Sequence, residues 1–138
     1  MEFDGLTPFA RDYPNYMIGL AVHQFDLHND GDLREFSIDL QDKSVRLVWL
    51  LKQSAWQVPA EAETRQRKTI AGVSLIFSGV SCITMSGRIL GDSGSSELDF
   101  LEYTPGERGL GETRIVFLNS AEASIVAARC QLRTIEVP

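Results

Sequence analysis

Alternation of apolar and polar side chains with a period of two constrains this chain more than any other feature. It runs through residues 36–51, 70–85 and 114–137, as pleated strands require when one face is buried. Short turn signals separate these runs, and about seven to nine strand candidates follow one another at 8- to 12-residue spacing. That rhythm predicts an all-β fold: an antiparallel β-sandwich or a partly closed β-barrel of about seven to nine strands.

With 138 residues, the chain is expected to form one domain, residues 1–138, able to bury roughly two thirds of its unfolded surface. Residues 1–15, which contain Pro8 and Pro14, read as an irregular lead-in over the surface. Residues 16–27 fit neither helical nor strand period cleanly and lean towards strand. Asn29-Asp30-Gly31-Asp32 supplies a turn, since short polar side chains and glycine tolerate left-handed backbone.

A first hairpin then alternates Phe36, Ile38 and Leu40 with Glu35, Ser37 and Asp39, turns at residues 41–44, and returns through Val45, Leu47, Trp49 and Leu51. Residues 52–66 hold at most one helical turn. A second hairpin couples residues 70–77 to 80–89 through Ser78-Gly79. Residues 97–103 form a strand or a short helix, and a closing hairpin pairs 113–118 with 123–137.

A net charge of −6 argues against a nucleic-acid surface, which needs a cationic face. The one basic run, Arg65 to Lys68, follows Glu61 and Glu63 and reads as a solvated strand entry. Nothing in Met1-Glu2-Phe3-Asp4-Gly5 resembles a secretory signal, and no apolar stretch approaches the roughly 20 residues of a bilayer span. A cytoplasmic protein without membrane contact is the expectation. Cys82 and Cys130 sit in strand-like segments, where a thiol usually acts as a small buried hydrophobe. A disulfide between them would require neighbouring strands.

Two motifs suggest chemistry and neither completes it. Gly91-Asp92-Ser93-Gly94 resembles the tetrapeptide around the nucleophilic serine of chymotrypsin-like proteases. Such enzymes need two barrels and a histidine and an aspartate placed to activate that serine. This chain is too short for both barrels, lacks the Ala-Ala-His-Cys setting, and has Ser95-Ser96 where that family has Gly-Pro. A flexible glycine-serine loop accounts for the same letters. Asp26-Leu27-His28-Asn29-Asp30-Gly31-Asp32-Leu33 spaces its oxygen ligands like a calcium loop of the EF-hand kind. Its third position is His28, and its twelfth is Ser37 where a bidentate glutamate belongs. A capped turn between strands fits better, with weak cation binding at Asp30 and Asp32 as the competing reading.

His23 falls among apolar residues and reads as a structural histidine. His28 lies beside polar turn residues, where it can cap a backbone group as readily as bind a ligand. Trp49 belongs to a strongly apolar strand and is a core candidate. Trp56 lies off the pattern in Ser54-Ala55-Trp56-Gln57-Val58-Pro59. It either anchors a partner, as exposed aromatics often do, or folds back over an open end of the sheet.

The stretch His28-Asn29-Asp30-Gly31-Asp32-Leu33-Arg34-Glu35-Phe36-Ser37-Ile38-Asp39-Leu40 and its return strand resemble small bacterial β-proteins that begin with a His-Asp/Asn-x-x-Leu turn, among them immunity proteins of polymorphic toxin systems. Looser similarity continues through residues 73–80 and the closing hairpin, about half the chain. The resemblance implies a non-enzymatic protein that works by binding another protein, and it brings no established functional residue.

The expected function is accordingly that of a binding protein without cofactor or metal, possessing a protein partner that is basic by charge complementarity, and existing as monomer or homodimer. Its candidate contact residues are His28, Asp30, Asp32, Trp56 and Asp92, the last within the loop at residues 91–97. A small-ligand-binding β-barrel is the alternative, favoured if the apolar residues enclose a cavity rather than a filled core.

Overall fold

A computed structural model describes residues 1–20, 23–58, 69–91, 94 and 96–137. The alternation produces strands as expected, and no α-helix occurs among the described residues. One five-stranded sheet has the order β1 (Glu2–Asp4), β12 (Arg129–Val137), β7 (Thr69–Ser78), β6 (Ser44–Leu51) and β5 (Gly31–Asp39). A second has the order β2 (Pro14–Asn15), β9 (Leu98–Pro105), β10 (Gly111–Phe117), β11 (Glu122–Ala127) and β8 (Cys82–Ser86). A separate two-stranded ribbon joins β3 (Met17–Leu20) to β4 (His23–Asp26).

The described residues therefore hold twelve strands, not seven to nine. Strands of two to four residues are too short to display an alternation, which is why β1 and β2 escaped the pattern, while residues 16–27, read as leaning towards strand, hold the two short strands β3 and β4. Neither five-stranded sheet pairs its first strand with its last, so no barrel closes. The pairing is antiparallel except for β1, which runs parallel to β12.

Period-two burial carries both large sheets. On β6, Val45, Leu47 and Trp49 point inward while Arg46 faces water; on β7, Val73, Leu75 and Phe77 are fully buried. On β10 and β11, Thr113, Ile115, Phe117, Ala123, Ile125 and Ala127 do the same from the second sheet. All of these except Thr113 belong to one hydrophobic cluster, and burying each large apolar one contributes about 1.5–3 kcal/mol relative to leaving it exposed.

The lead-in is largely exposed but anchored at two points. Leu6 and Phe9 enter the core, and Phe3 packs edge-on against Phe9 and Tyr103 with ring centroids 5.2 Å apart in each pair. Prolines shorten its strands without preventing burial.

The first hairpin forms as read, with Gly31 opposite Leu51 and Asp39 opposite Ser44. Its apolar face does not behave as the alternation implies. A bulge between Leu33 and Glu35 interrupts the register, and beyond it Ile38 and Leu40 are 37% and 85% exposed. The second hairpin does not exist. After Ser78 the chain leaves the first sheet and enters the second as β8, paired with β11. Gly79 supplies the bend with φ +61°, so the Ser-Gly pair kinks one strand instead of reversing it.

The closing hairpin divides in the same place. Its β10–β11 half pairs as expected, whereas the chain beyond Ala127 crosses to the first sheet as β12. The segment read as strand or short helix is strand, β9, and the described residues after β6 hold one 3-10 turn, Gln53–Ala55. The basic run at residues 65–68 lies outside the described residues.

Trp49 is fully buried, as expected. Both cysteines are free, Cys130 buried on β12 and Cys82 exposed on β8. The buried reading fails for Cys82 because β8 is an edge strand with an outward face. No helix among the described residues is long and apolar enough to cross a membrane.

Candidate binding site

The turn between β4 and β5 is built by Asp26. Its Oδ1 accepts the backbone N–H groups of His28 and Asn29 at 3.1 and 3.0 Å, and its Oδ2 accepts Asn29 Nδ2 at 2.8 Å. Asp30 N closes the turn onto the Asp26 carbonyl at 2.9 Å. Aspartate suits this position because its short side chain reaches backbone donors two and three residues on. Partial burial pushes the Asp26 carboxyl up, but the hydrogen bonds from Asn29 and His28 and the His28 charge outweigh it and hold the carboxyl below its ordinary value. Gly31 follows without left-handed backbone. It is needed because a Cβ there would lie 3.0 Å from Leu27 Cα and its carbonyl oxygen.

Two neighbours clamp this turn. His28 Nδ1 lies 2.9 Å from the Leu98 carbonyl and 3.1 Å from that of Asp99. Carbonyl oxygens only accept, so Nδ1 carries the proton and His28 donates to β9. Leu33 and Ser96 exchange backbone hydrogen bonds at 2.8 and 3.1 Å. On the other side Lys52 N donates to the Asp30 carbonyl at 2.9 Å, and Lys52 Nζ to the Asn29 carbonyl at 2.7 Å. His28 thus caps backbone groups, as its setting suggested.

The clamped turn separates two surface clefts. One, of about 420 Å³, is lined by Asp32, Lys52, Gly91, Ser96, Glu97 and Asn119 among others. The other, of about 500 Å³, is lined by Tyr16, Met17, Asp26, His28, Asn29 and Asp99. Asp32 pairs with Arg34 of its own strand at 2.9 Å. Among the described residues, no three His, Cys, Asp or Glu side chains converge to hold a metal ion.

Of the residues singled out from sequence, His28, Asp30 and Asp32 share this one turn. Trp56 is 37% exposed, and its Nε1 donates to the carbonyl of Leu51, the residue paired with Gly31. Asp92 lies outside the described residues, though its neighbours Gly91, Ser96 and Glu97 line the Asp32 cleft. Tyr16, Asp26 and Asp99 were missed. Asp26 had a signal as the first residue of the calcium-like spacing, whereas Asp99 reaches the site only through the non-local docking of β9 on the turn.

The chain matches no protein-family model, no curated protein and no solved structure.

Proposed function

We propose that this is a non-enzymatic binding protein acting by protein–protein contact, with the turn at residues 26–32 and its flanking clefts as the contact face. The clamping of this turn, by β9 at His28 and by Lys52 at Asn29 and Asp30, carries this reading. A preorganised acidic surface loses little ordering entropy on association. A charge of −6 favours a basic partner, because complementary potentials accelerate encounter and suppress wrong partners. An immunity-type inhibitor in the cytoplasm, monomeric or dimeric, is the specific form implied by the resemblance.

In this reading the two large sheets stack as a sandwich whose interior is occupied by side chains such as Trp49, Phe77, Phe117 and Leu101. The alternative, a small-ligand-binding β-barrel, is less favoured, since both large sheets are open among the described residues.

The test is affinity capture from lysate of the source organism, followed by size-exclusion chromatography and native mass spectrometry. A stoichiometric basic protein, bound at least about tenfold more weakly by the Asp30→Lys/Asp32→Lys variant, is the expected result. Unchanged affinity would remove the contact face from this turn, and a co-eluting small-molecule mass would favour the ligand carrier.

A further inference from the structure

The cleft lined by Tyr16, Met17, Asp26, His28, Asn29 and Asp99 has an unbalanced hydrogen-bonding inventory. Its side-chain donors are largely spent: His28 Nδ1 on the Leu98 and Asp99 carbonyls, and Asn29 Nδ2 on Asp26. What remains is acceptor capacity. Two aspartates, Asp26 and Asp99, are among its lining residues, and no lysine or arginine stands among the described ones.

The walls are aromatic and soft. Tyr16 and Met17 stay 43% and 50% exposed, although both are large enough to have been buried with profit. The Tyr16 and His28 rings meet edge to face, centroids 5.7 Å apart and planes at 74°, and both residues line the same cleft as Asp26 and Asp99. A thioether and a ring face bordering an anionic, acceptor-rich cleft match one kind of group. That group is planar, cationic, weakly hydrated and purely a donor.

We infer that this cleft receives an arginine side chain of a protein partner, the guanidinium pairing with Asp99 and packing on Tyr16. The inference rests on the protein-binding reading and adds what the partner must present. Arginine fits better than lysine, since a guanidinium offers five donors in a plane and stacks on aromatic faces, while an ammonium is a compact, strongly hydrated point charge.

The test uses the whole protein and a small probe. N-acetyl-arginine methylamide is titrated into isotopically labelled protein and followed by amide chemical shifts, with the citrulline analogue as the uncharged isostere. Saturable shifts confined to residues around Tyr16, His28 and Asp99, about tenfold weaker or absent with citrulline, are expected. Asp99→Asn and Tyr16→Ala should each weaken the probe by about three- to tenfold while leaving the remaining spectrum in place.

Absence of localised shifts, equal binding of citrulline, or indifference to both variants would overturn the assignment. Capture of a basic partner sensitive to Asp30 and Asp32 but not to Tyr16 and Asp99 would likewise overturn it, leaving the broader reading intact. Probe binding in the cleft without any captured protein would leave a guanidinium site standing but overturn the assignment of its occupant to a protein partner, together with the broader reading.

Discussion

Gly79 lies directly against Ala128: a Cβ added at Gly79 would stand 2.9 Å from the Ala128 Cβ. The contact marks where two strands pass together from one sheet to the other. Ser78 still pairs with Arg129 in the first sheet, and Cys82 already pairs with Val126 in the second. Between them Ala128 N donates to the Ser78 and Gly79 carbonyls at 3.1 and 3.3 Å, and Ser81 N to the Val126 carbonyl at 2.9 Å. Strands that switch sheets through such bends form the corners of packed β-sheets.

Gly79→Ala should therefore destabilise the protein by about 2 kcal/mol, combining a left-handed φ with the Cβ collision. Adding Ala128→Gly should recover the steric share, giving favourable coupling in a double-mutant cycle measured by urea denaturation. Additive losses would mean that the two Cβ positions do not meet.

That corner also explains what the sequence conceals. The period of two identifies strands wherever a run is long and one face is buried, hence the correct reading of β6, β7 and β10 and of the hairpin between β5 and β6. It carries no information about which sheet a strand joins. Ser78-Gly79 has the same letters in a hairpin and in a kink, and the choice is made by Ala128, fifty residues away in the chain. In the site, the local Asx turn at Asp26–Asn29 was legible as a polar turn from its spacing. The arrival of Asp99 beside it depends on β9 docking through His28, a contact between residues about 70 apart, whereas Tyr16 is placed by the β3–β4 pairing, with Met17 opposite Asp26 and Leu27 N donating to the Tyr16 carbonyl at 3.1 Å.

The Asp26 carboxyl makes turn stability depend on pH. Its folded value lies below the ordinary 3.8, despite the opposing effect of burial, because Asn29 and His28 donate to the charged form. A depressed folded value contributes stability that is present above the unfolded value and is lost as pH falls through the folded one. Asp26→Asn should cost on the order of 1 kcal/mol at neutral pH. The gap between wild type and variant should narrow from about pH 4 downwards, as both urea midpoints are followed into acid. A gap that stays constant with pH would show that the charge of Asp26 contributes nothing.

Thr113 is fully buried on β10, and its Oγ1 finds no hydrogen-bond partner among the described residues. A buried hydroxyl without a partner bears its desolvation cost uncompensated, and valine has nearly the same shape. Thr113→Val should raise stability by about 1 kcal/mol, read from the urea midpoint at an unchanged slope. A loss of similar size would mean that the hydroxyl is hydrogen-bonded in solution.

The two thiols should report separately on the edge and the interior. Cys82 is exposed on β8, the edge strand of its sheet, whereas Cys130 is fully buried on β12, where desolvation pushes its thiol well above the usual range. The thiolate is the reacting species, so both access and ionisation protect Cys130. Native protein treated with an aromatic disulfide reagent at pH 8 should release one equivalent of thiolate promptly and the second only on unfolding. Cys82→Ser should abolish the fast phase alone. Because β12 is paired on both sides by β1 and β7, the slow phase should follow global unfolding and be accelerated by Gly79→Ala, whose strain lies at the entrance to the β7–β12 ladder. A fast reaction at Cys130 in the wild type would mean instead that the first sheet opens locally at β12.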